Sequence, residues 1–387
     1  MTMESHNLLG GVSHQQFLDE YWQQKPLLVR QAFSNIAPPF SVEELAGLCC
    51  DTESSGRLII EKGDTPWQVI QSPLEEEHFL NLPDSHWTLL VNDLERYYPE
   101  HLALLENFRF IPDWRIDDLM VSYAPEGGSV GPHIDQYDVF LIQAQGKRHW
   151  MLDPAADSNE ILPDIELKIL EEFNTQQEWT LEAGDMLYLP PNLAHYGVAK
   201  NDCMTYSVGF RSPSQQELLE SWLYELAKKE KTTARYKDAG RKPQTRYGEI
   251  QDTDIDSLKK HLLQAITGNE SGNDELFKDW LGRYLTEPKN TDQEEYLSDE
   301  DDFINDKSDI SYFRSPNTQI AWIKEANRIT LFIDGQSSNW SIETQQAIEF
   351  ICANYEYSHN SVKEYCKNKC NQELFDTLID QGDIQEV

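Results

Sequence analysis

From Leu119 to Phe210 the apolar positions gather in short runs rich in β-branched and aromatic residues: Leu119 to Tyr123, Tyr137 to Gln143, Arg148 to Leu152, Asp185 to Leu189 and Met204 to Phe210. Gly127-Gly128, Gly146, Gly184-Asp185 and Pro190-Pro191-Asn192 punctuate them as turns. Several short strands at this spacing predict a β-sandwich or barrel. Upstream the pattern is mixed. A helix is predicted around Gln15 to Trp22, then the extended Pro26-Leu-Leu-Val29, whose proline forbids continuing the helix. Ser41-Val-Glu-Glu44 has the form of a capping box ahead of Leu45, Leu48 and Cys49.

After Pro213 the period changes to a helical one. Ser214 to Glu217 again has the form of a capping box, and Leu218, Leu219, Trp222, Leu223 and Leu226 follow on one helical face. A second amphipathic helix carries Ile255, Leu258, Leu262, Leu263 and Ile266, and a third carries Leu276, Phe277, Trp280, Leu281 and Tyr284 before Pro288. The polar, locally basic segment from Lys228 to Arg246 reads as a loop. Residues 291–309 are charge-dense with few apolar anchors. Strand-like runs at Gln319 to Lys324 and Arg328 to Ile333, a turn at Asp334-Gly335, and helices around Glu343 to Asn354 and Val362 to Ile379 then form an α+β pattern compatible with a winged helix. These changes divide the chain into 1–213, a helical module at 214–290, an acidic linker at 291–310 and a terminal domain at 311–387.

The chain of 387 residues exceeds one ordinary domain, and its 10 Trp, 17 Tyr and 15 Phe supply bulky apolar surface for a core. Its 32 basic against 68 acidic residues leave a formal charge of -36, which repels phosphate backbones and attracts cationic partners, or simply maintains solubility. Direct DNA binding is not expected. Six cysteines without a disulfide-like framework, and a polar start from Met1 to His6, suggest a reducing cytoplasmic compartment. Cys366 and Cys370 lack the further ligands of a zinc site. No run approaches the length of a membrane span.

The chemically informative stretch is Gly131-Pro-His133-Ile-Asp135-Gln-Tyr137-Asp138, paired with His195 after the double-proline turn. Two histidines and one carboxylate on one face of a metal leave the other positions open, as in non-haem iron(II) oxygenases. On a strand, His133 and Asp135 share a side and can chelate together. Alone, H-x-D is weak, because a histidine near a carboxylate is more often a solvated pair. A distant histidine held by dihedral-fixed prolines strengthens it.

These residues, together with Tyr21-Trp-Gln-Gln-Lys-Pro26, Asp113-Trp-Arg-Ile-Asp-Asp-Leu119, Gly146-Lys-Arg-His-Trp150 and Tyr206-Ser-Val-Gly-Phe-Arg211, carry a resemblance that spans nearly the whole chain. The chain resembles the JmjC-type bacterial ribosomal oxygenases of the cupin superfamily. That resemblance implies an α+β protein: a double-stranded β-helix catalytic domain, a helical dimerisation module and a C-terminal winged-helix-like domain. It implies iron(II) held by His133, Asp135 and His195, with 2-oxoglutarate as cosubstrate. Arg148 matches the position that binds the distal carboxylate, with a surface arginine as the plain alternative. Thr205 and Ser207 are candidates to hydrogen-bond the cosubstrate, or are core-facing hydroxyls. The implied reaction is hydroxylation of an arginine in a large-subunit ribosomal protein, the sixteenth. Tyr137, Asp138, Asp118 and Glu126, with Asp117, are candidates to receive the cationic side chain, against the reading of a solvated acidic rim. Met120, Tyr123 and Phe140 read as barrel core. The expected partners are a basic ribosomal protein and a second copy of the chain.

Other readings stay open at this point. A JmjC lysine demethylase needs room for methylammonium near iron, which sequence does not test. A non-catalytic cupin-fold protein that binds ribosomes would not need the triad and Arg148, and other metal cupins employ more histidines than appear near residue 133.

Overall fold

In the computed structural model, residues 7–36, 38–51, 55–62, 65–157, 161–162, 167–228, 235–243, 246, 248–267, 273–288 and 310–386 are described. They fall into two compact units that divide between Ser212 and Pro213. The acidic linker expected at 291–310 lies, except for Ile310, outside the described residues, as does part of the segment from Lys228 to Arg246.

The first unit opens with α1 (His14–Glu20), β1 (Leu27–Val29), α2 (Val42–Cys50), β2 (Gly56–Lys62), β3 (Thr65–Gln71), α3 (Glu76–Leu80) and β4 (Trp87–Val91). Short helices α4 (Leu94–Tyr97) and α5 (Leu102–Leu105) lead to β5 (Ile116–Ala124), β6 (Val139–Gln145) and β7 (Lys147–Asp153). It closes with β8 (Gln177–Glu182), β9 (Met186–Leu189), β10 (Ala194–Ala199) and β11 (Cys203–Phe210). Ser13 caps α1 by accepting from the Gln16 N–H, and the Ser41–Glu44 capping box starts α2.

Eight strands form one sheet in the order β1-β9-β6-β11-β5-β4-β2-β3, and β10-β7-β8 form a smaller one. The sequence pattern missed β2 to β4, β8 and β10. Four of the six residues of β8 are polar, and β10 is interrupted by Gly197 and has alanine at both ends, so neither has a strong strand signature. Strand alternation assigns the two faces of the large sheet to two cores. Phe140, Tyr188, Tyr206 and Phe210 pack against Phe17 and Phe108 from the helical segments. Val139, Leu141 and Leu187 point the other way, toward Trp150, Leu152 and Leu181 of the small sheet. The interior between the sheets is where the chemistry gathers.

The second unit contains α6 (Gln215–Lys228), α7 (Asp252–Thr267) and α8 (Asn273–Leu285), then β12 (Ile310–Phe313), β13 (Ile320–Lys324), β14 (Arg328–Ile333) and β15 (Gln336–Ser341). After α9 (Gln345–Ala353) come β16 (Glu356–Ser358), α10 (His359–Tyr365), α11 (Lys369–Asp380) and β17 (Gln385–Glu386). Trp222 of α6 and Trp280 of α8 anchor the helices, and the Trp222 indole N–H donates to the Ile266 carbonyl at the end of α7. A Cβ on Gly282 would sit 2.3 Å from the Phe332 ring, so this glycine lets α8 press onto the β13-β14-β15 sheet. The single helix expected from Val362 to Ile379 is two helices. The break follows from Asn368, whose side chain accepts from the Asn371 N–H and starts a new helix.

Candidate active site

His133, Asp135 and His195 converge. Their ligating atoms all lie within 4.8 Å of one another, with Asp135 Oδ2 3.8 Å from His133 Nε2 and 3.6 Å from His195 Nε2. The reason differs from the strand parity expected. Only His133 is in a β-bridge, exchanging backbone hydrogen bonds with His195 at 3.0 and 2.9 Å, and Asp135 lies in the loop beyond it. Asn192, in a left-handed conformation just after the two prolines, donates its N–H to the Asp135 carbonyl at 2.8 Å. The proline turn therefore holds the aspartate as well as introducing the second histidine. Gly131 is required here: its φ is +81°, and a Cβ would press on Ile169 at 2.9 Å.

Both imidazoles are oriented from behind. His133 Nδ1 lies 2.9 Å from the Gly131 carbonyl and His195 Nδ1 lies 3.0 Å from that of Leu193. A carbonyl can only accept, so both Nδ1 atoms carry a proton and each Nε2 is the atom turned toward Asp135. Burial, then the neighbouring His133, pulls the His195 pKa down to about 4, which keeps it neutral and able to ligate. Two imidazole nitrogens and one carboxylate oxygen, with His133 and Asp135 partly exposed, are the donor set and open side that iron(II) requires.

Arg148 points into the interior from β7. Its strand pairs Leu152 with His195 and Arg148 with Ala199, so it lies four residues along the ladder from the metal cluster, roughly 13 Å at strand rise. It is 2% exposed, yet its contacts are weak: 3.4 Å to Ser122 Oγ and 3.3 Å to the Gly197 carbonyl, with Nε buried and unpartnered. A buried, under-satisfied guanidinium fits the far carboxylate of a dicarboxylic acid chelated at the metal end. Thr205 and Ser207 share this interior face and are buried. Thr205 Oγ1 donates to Gln143 Oε1 at 3.1 Å, and Ser207 pairs with Met120 of β5. Ser122, Gln143 and Gly197 escaped the sequence pattern because only strand register brings them to Arg148 and Thr205. Met120, expected in the core, is half-buried on the interior face beside Asp118 and Ser122.

The expected substrate contacts separate. Tyr137 is 42% exposed as a residue, while desolvation and then Asp135 and Asp118 push its hydroxyl pKa upward, so it remains a neutral donor. Asp118 precedes Met120 on the same face, 3.2 Å from where a Gly209 Cβ would stand. Asp117, its neighbour in β5, pairs with Arg211 at 3.3 Å. Asp138 is not a substrate contact: it is fully buried and accepts hydrogen bonds from Tyr188, Gln23 and Arg115. Nor does Glu126 join the group. It is exposed beyond the C-terminal end of β5, whereas Asp118 lies near its start.

Residues 103–218 match the JmjC domain family, and residues 261–384 match the ROXA-like winged helix. The chain is 35% identical over 273 residues to the ribosomal protein uL16 3-hydroxylase of Escherichia coli (strain K12), covering 70% of this chain and 71% of that one. It is 37% identical over 268 residues to a probable ribosomal oxygenase of Haemophilus influenzae, covering 68% of this chain and 66% of that one. The structure of E. coli YcfD superposes over 100% of both chains with a TM-score of 0.80 at 27% identity. YcfD in complex with cobalt and 2-oxoglutarate covers 97% of this chain and 98% of its own, with a TM-score of 0.76 at 28% identity.

Proposed function

This chain belongs to the JmjC-domain ribosomal oxygenases, iron(II)- and 2-oxoglutarate-dependent hydroxylases, and on that premise we propose that it hydroxylates an arginine side chain of the large-subunit ribosomal protein uL16. The observation that carries this reading is the His133–Asp135–His195 cluster, its imidazoles bonded from behind, with buried Arg148 on the same interior wall. Iron(II) and 2-oxoglutarate together supply the dioxygen activation and hydrogen abstraction that no side chain here can perform. The protein's own contribution is placement. His133, Asp135 and His195 hold the metal, and Arg148 grips the distal carboxylate of the cosubstrate, with Ser122, Thr205 and Ser207 lining its path. Leu141, Leu187 and Trp150 keep that space apolar and exclude water. At the opening, Asp118 offers a carboxylate and Tyr137 an aromatic face to an incoming guanidinium. The formal charge of -36 favours encounter with a basic ribosomal protein.

Two copies of the chain pair through the helical module in this reading. Leu219 and Leu223 of α6 and Ile255, Leu258, Leu262 and Leu263 of α7 are each about half exposed within one chain, a density of apolar surface that a second copy would cover. No helix among the described residues is long and apolar enough to cross a membrane, and a ribosomal protein substrate supports reading the enzyme as cytoplasmic. The test is incubation of the full chain with uL16, iron(II), 2-oxoglutarate and dioxygen, followed by peptide mapping. The expected product is one arginine-containing peptide heavier by one oxygen, absent with His133→Ala and Arg148→Ala. Loss of a methyl group with formaldehyde release would instead identify a demethylase.

A further inference from the structure

Asp138 does not face substrate, yet its carboxylate accepts three side-chain hydrogen bonds from three separate segments of the first unit. It is 0% exposed. The Tyr188 hydroxyl donates to Oδ1 at 2.6 Å, and Gln23 Nε2 and Arg115 Nη2 donate to Oδ2 at 3.0 and 3.3 Å. Its carbonyl accepts from the Phe210 N–H at 3.0 Å. The donors are themselves tied down: the Tyr188 hydroxyl accepts from the Gln23 N–H at 2.7 Å, and Arg115 Nε donates to the Arg211 carbonyl at 2.6 Å. Gln23 takes a left-handed conformation, φ +59°, to deliver both its N–H and its amide to this network. A non-glycine residue in that region is strained, and strain persists where the surroundings over-determine it.

The segment this network fastens is short and bears the chemistry. Asp135, the metal-facing carboxylate, is three positions before Asp138, and Tyr137 is its neighbour. No regular secondary structure supports residues 134–138. They are pinned at one end by the Asn192 N–H on the Asp135 carbonyl and at the other by Asp138. Without the side-chain anchors of Asp138, Asp135 and Tyr137 would be held between backbone hydrogen bonds alone, the Asn192 N–H on the Asp135 carbonyl and the Phe210 N–H on the Asp138 carbonyl.

We propose that Asp138, held by Tyr188, Gln23 and Arg115, is a positioning residue that sets where Asp135 meets the metal and where Tyr137 meets the substrate side chain. The N-terminal turn carrying Gln23 is then a strut of the active site as well as a cap on the barrel core. This inference rests on the metal and substrate assignments proposed above.

The experiment uses the full chain with Asp138→Asn, Tyr188→Phe and Gln23→Gly. Asp138→Asn leaves the half-buried Arg115 without its counter-charge and risks the fold. Gln23→Gly removes one donor while relieving the left-handed backbone, so it separates positioning from stability. Cobalt(II) is titrated into each protein and followed by its visible absorption bands, with thermal unfolding alongside. Turnover is then read as hydroxylated peptide formed per succinate released. The expected result is a cobalt Kd raised roughly tenfold in Tyr188→Phe and Gln23→Gly, as for other supports behind metal ligands, with less hydroxylated product per succinate. Folded variants that bind cobalt and couple turnover like the wild type overturn the proposal, whatever their melting temperatures. If the wild-type chain itself binds no cobalt, the metal assignment fails, and this inference with it.

Discussion

Replacing Arg148 by methionine removes the charge proposed to anchor 2-oxoglutarate while keeping most of the side-chain volume. With cosubstrate bound, the guanidinium would share a buried pair with a carboxylate, and breaking such a pair by removing one partner costs about 3–5 kcal/mol. That corresponds to a loss of roughly a hundred- to several-thousand-fold in affinity. Without cosubstrate the balance reverses. Arg148 is 2% exposed, its hydrogen bonds to Ser122 and Gly197 are long, and its Nε has no partner. Apolar replacement of a poorly paired buried cation is neutral or stabilising, offset only by the loss of its position 5.2 Å over the Trp150 ring. The KM for 2-oxoglutarate should therefore rise by two to three orders of magnitude while Tm of the cosubstrate-free protein stays level or increases. Succinate release across a 2-oxoglutarate series and a thermal melt measure the two quantities. A KM within about threefold of the wild type would refute the reasoning, because an exposed or redundant arginine predicts that result.

Other outcomes follow from single features. Glu95 is buried and accepts from the Leu119 N–H at 3.1 Å; burial first, then Asp93 and Asp118, raise its pKa from 4.5 to about 8. Because the folded state holds this proton more tightly, its stabilising effect is complete below pH about 4.5 and is lost as pH rises through about 8, with a ceiling on the order of 4–5 kcal/mol. Glu95→Gln should flatten that decline in a series of melts; an identical pH dependence in mutant and wild type would show that Glu95 titrates normally. Gly282→Ala drives a Cβ into Phe332 and should cost about 1–3 kcal/mol, seen as a lower Tm, and an unchanged Tm would mean that α8 is not pressed against the sheet. Leu223→Asp with Leu262→Asp alters two exposed positions and should convert a dimer to a folded monomer in sedimentation equilibrium; a monomeric wild type would contradict the pairing.

Much of this organisation was legible from local patterns. The strands that place Arg148 and Thr205 announced themselves through β-branched and aromatic runs, and alternation within β7 and β11 is enough to assign their faces. The convergence of His133, Asp135 and His195 was legible for a partly mistaken reason. His133 and Asp135 are brought together by a bridge to His195 and by Asn192, contacts between segments far apart in sequence, rather than by the pleat of one strand. The acidic candidates show the limit of reading neighbours as partners. Asp117 is taken up in an ion pair with Arg211, Asp138 disappears into a buried network, and Glu126 is carried away by the length of β5. Ser122, Gln143 and Gly197 have no local signature, because register across strands sets Ser122 and Gln143 opposite Thr205 and brings the Gly197 carbonyl within reach of Arg148. The split at Asn368 was local after all: its side-chain cap outweighed an apolar period that runs through it.

The most direct test of the central claim is a reaction with isotopically labelled dioxygen. Full chain, iron(II), 2-oxoglutarate and uL16 are mixed, and both succinate and the uL16 peptides are weighed. Labelled oxygen should enter one arginine of uL16 and the succinate carboxylate together, and neither should gain label with His195→Ala. Unlabelled oxygen in the peptide, or labelled succinate with no modified arginine even at saturating uL16, would contradict the account.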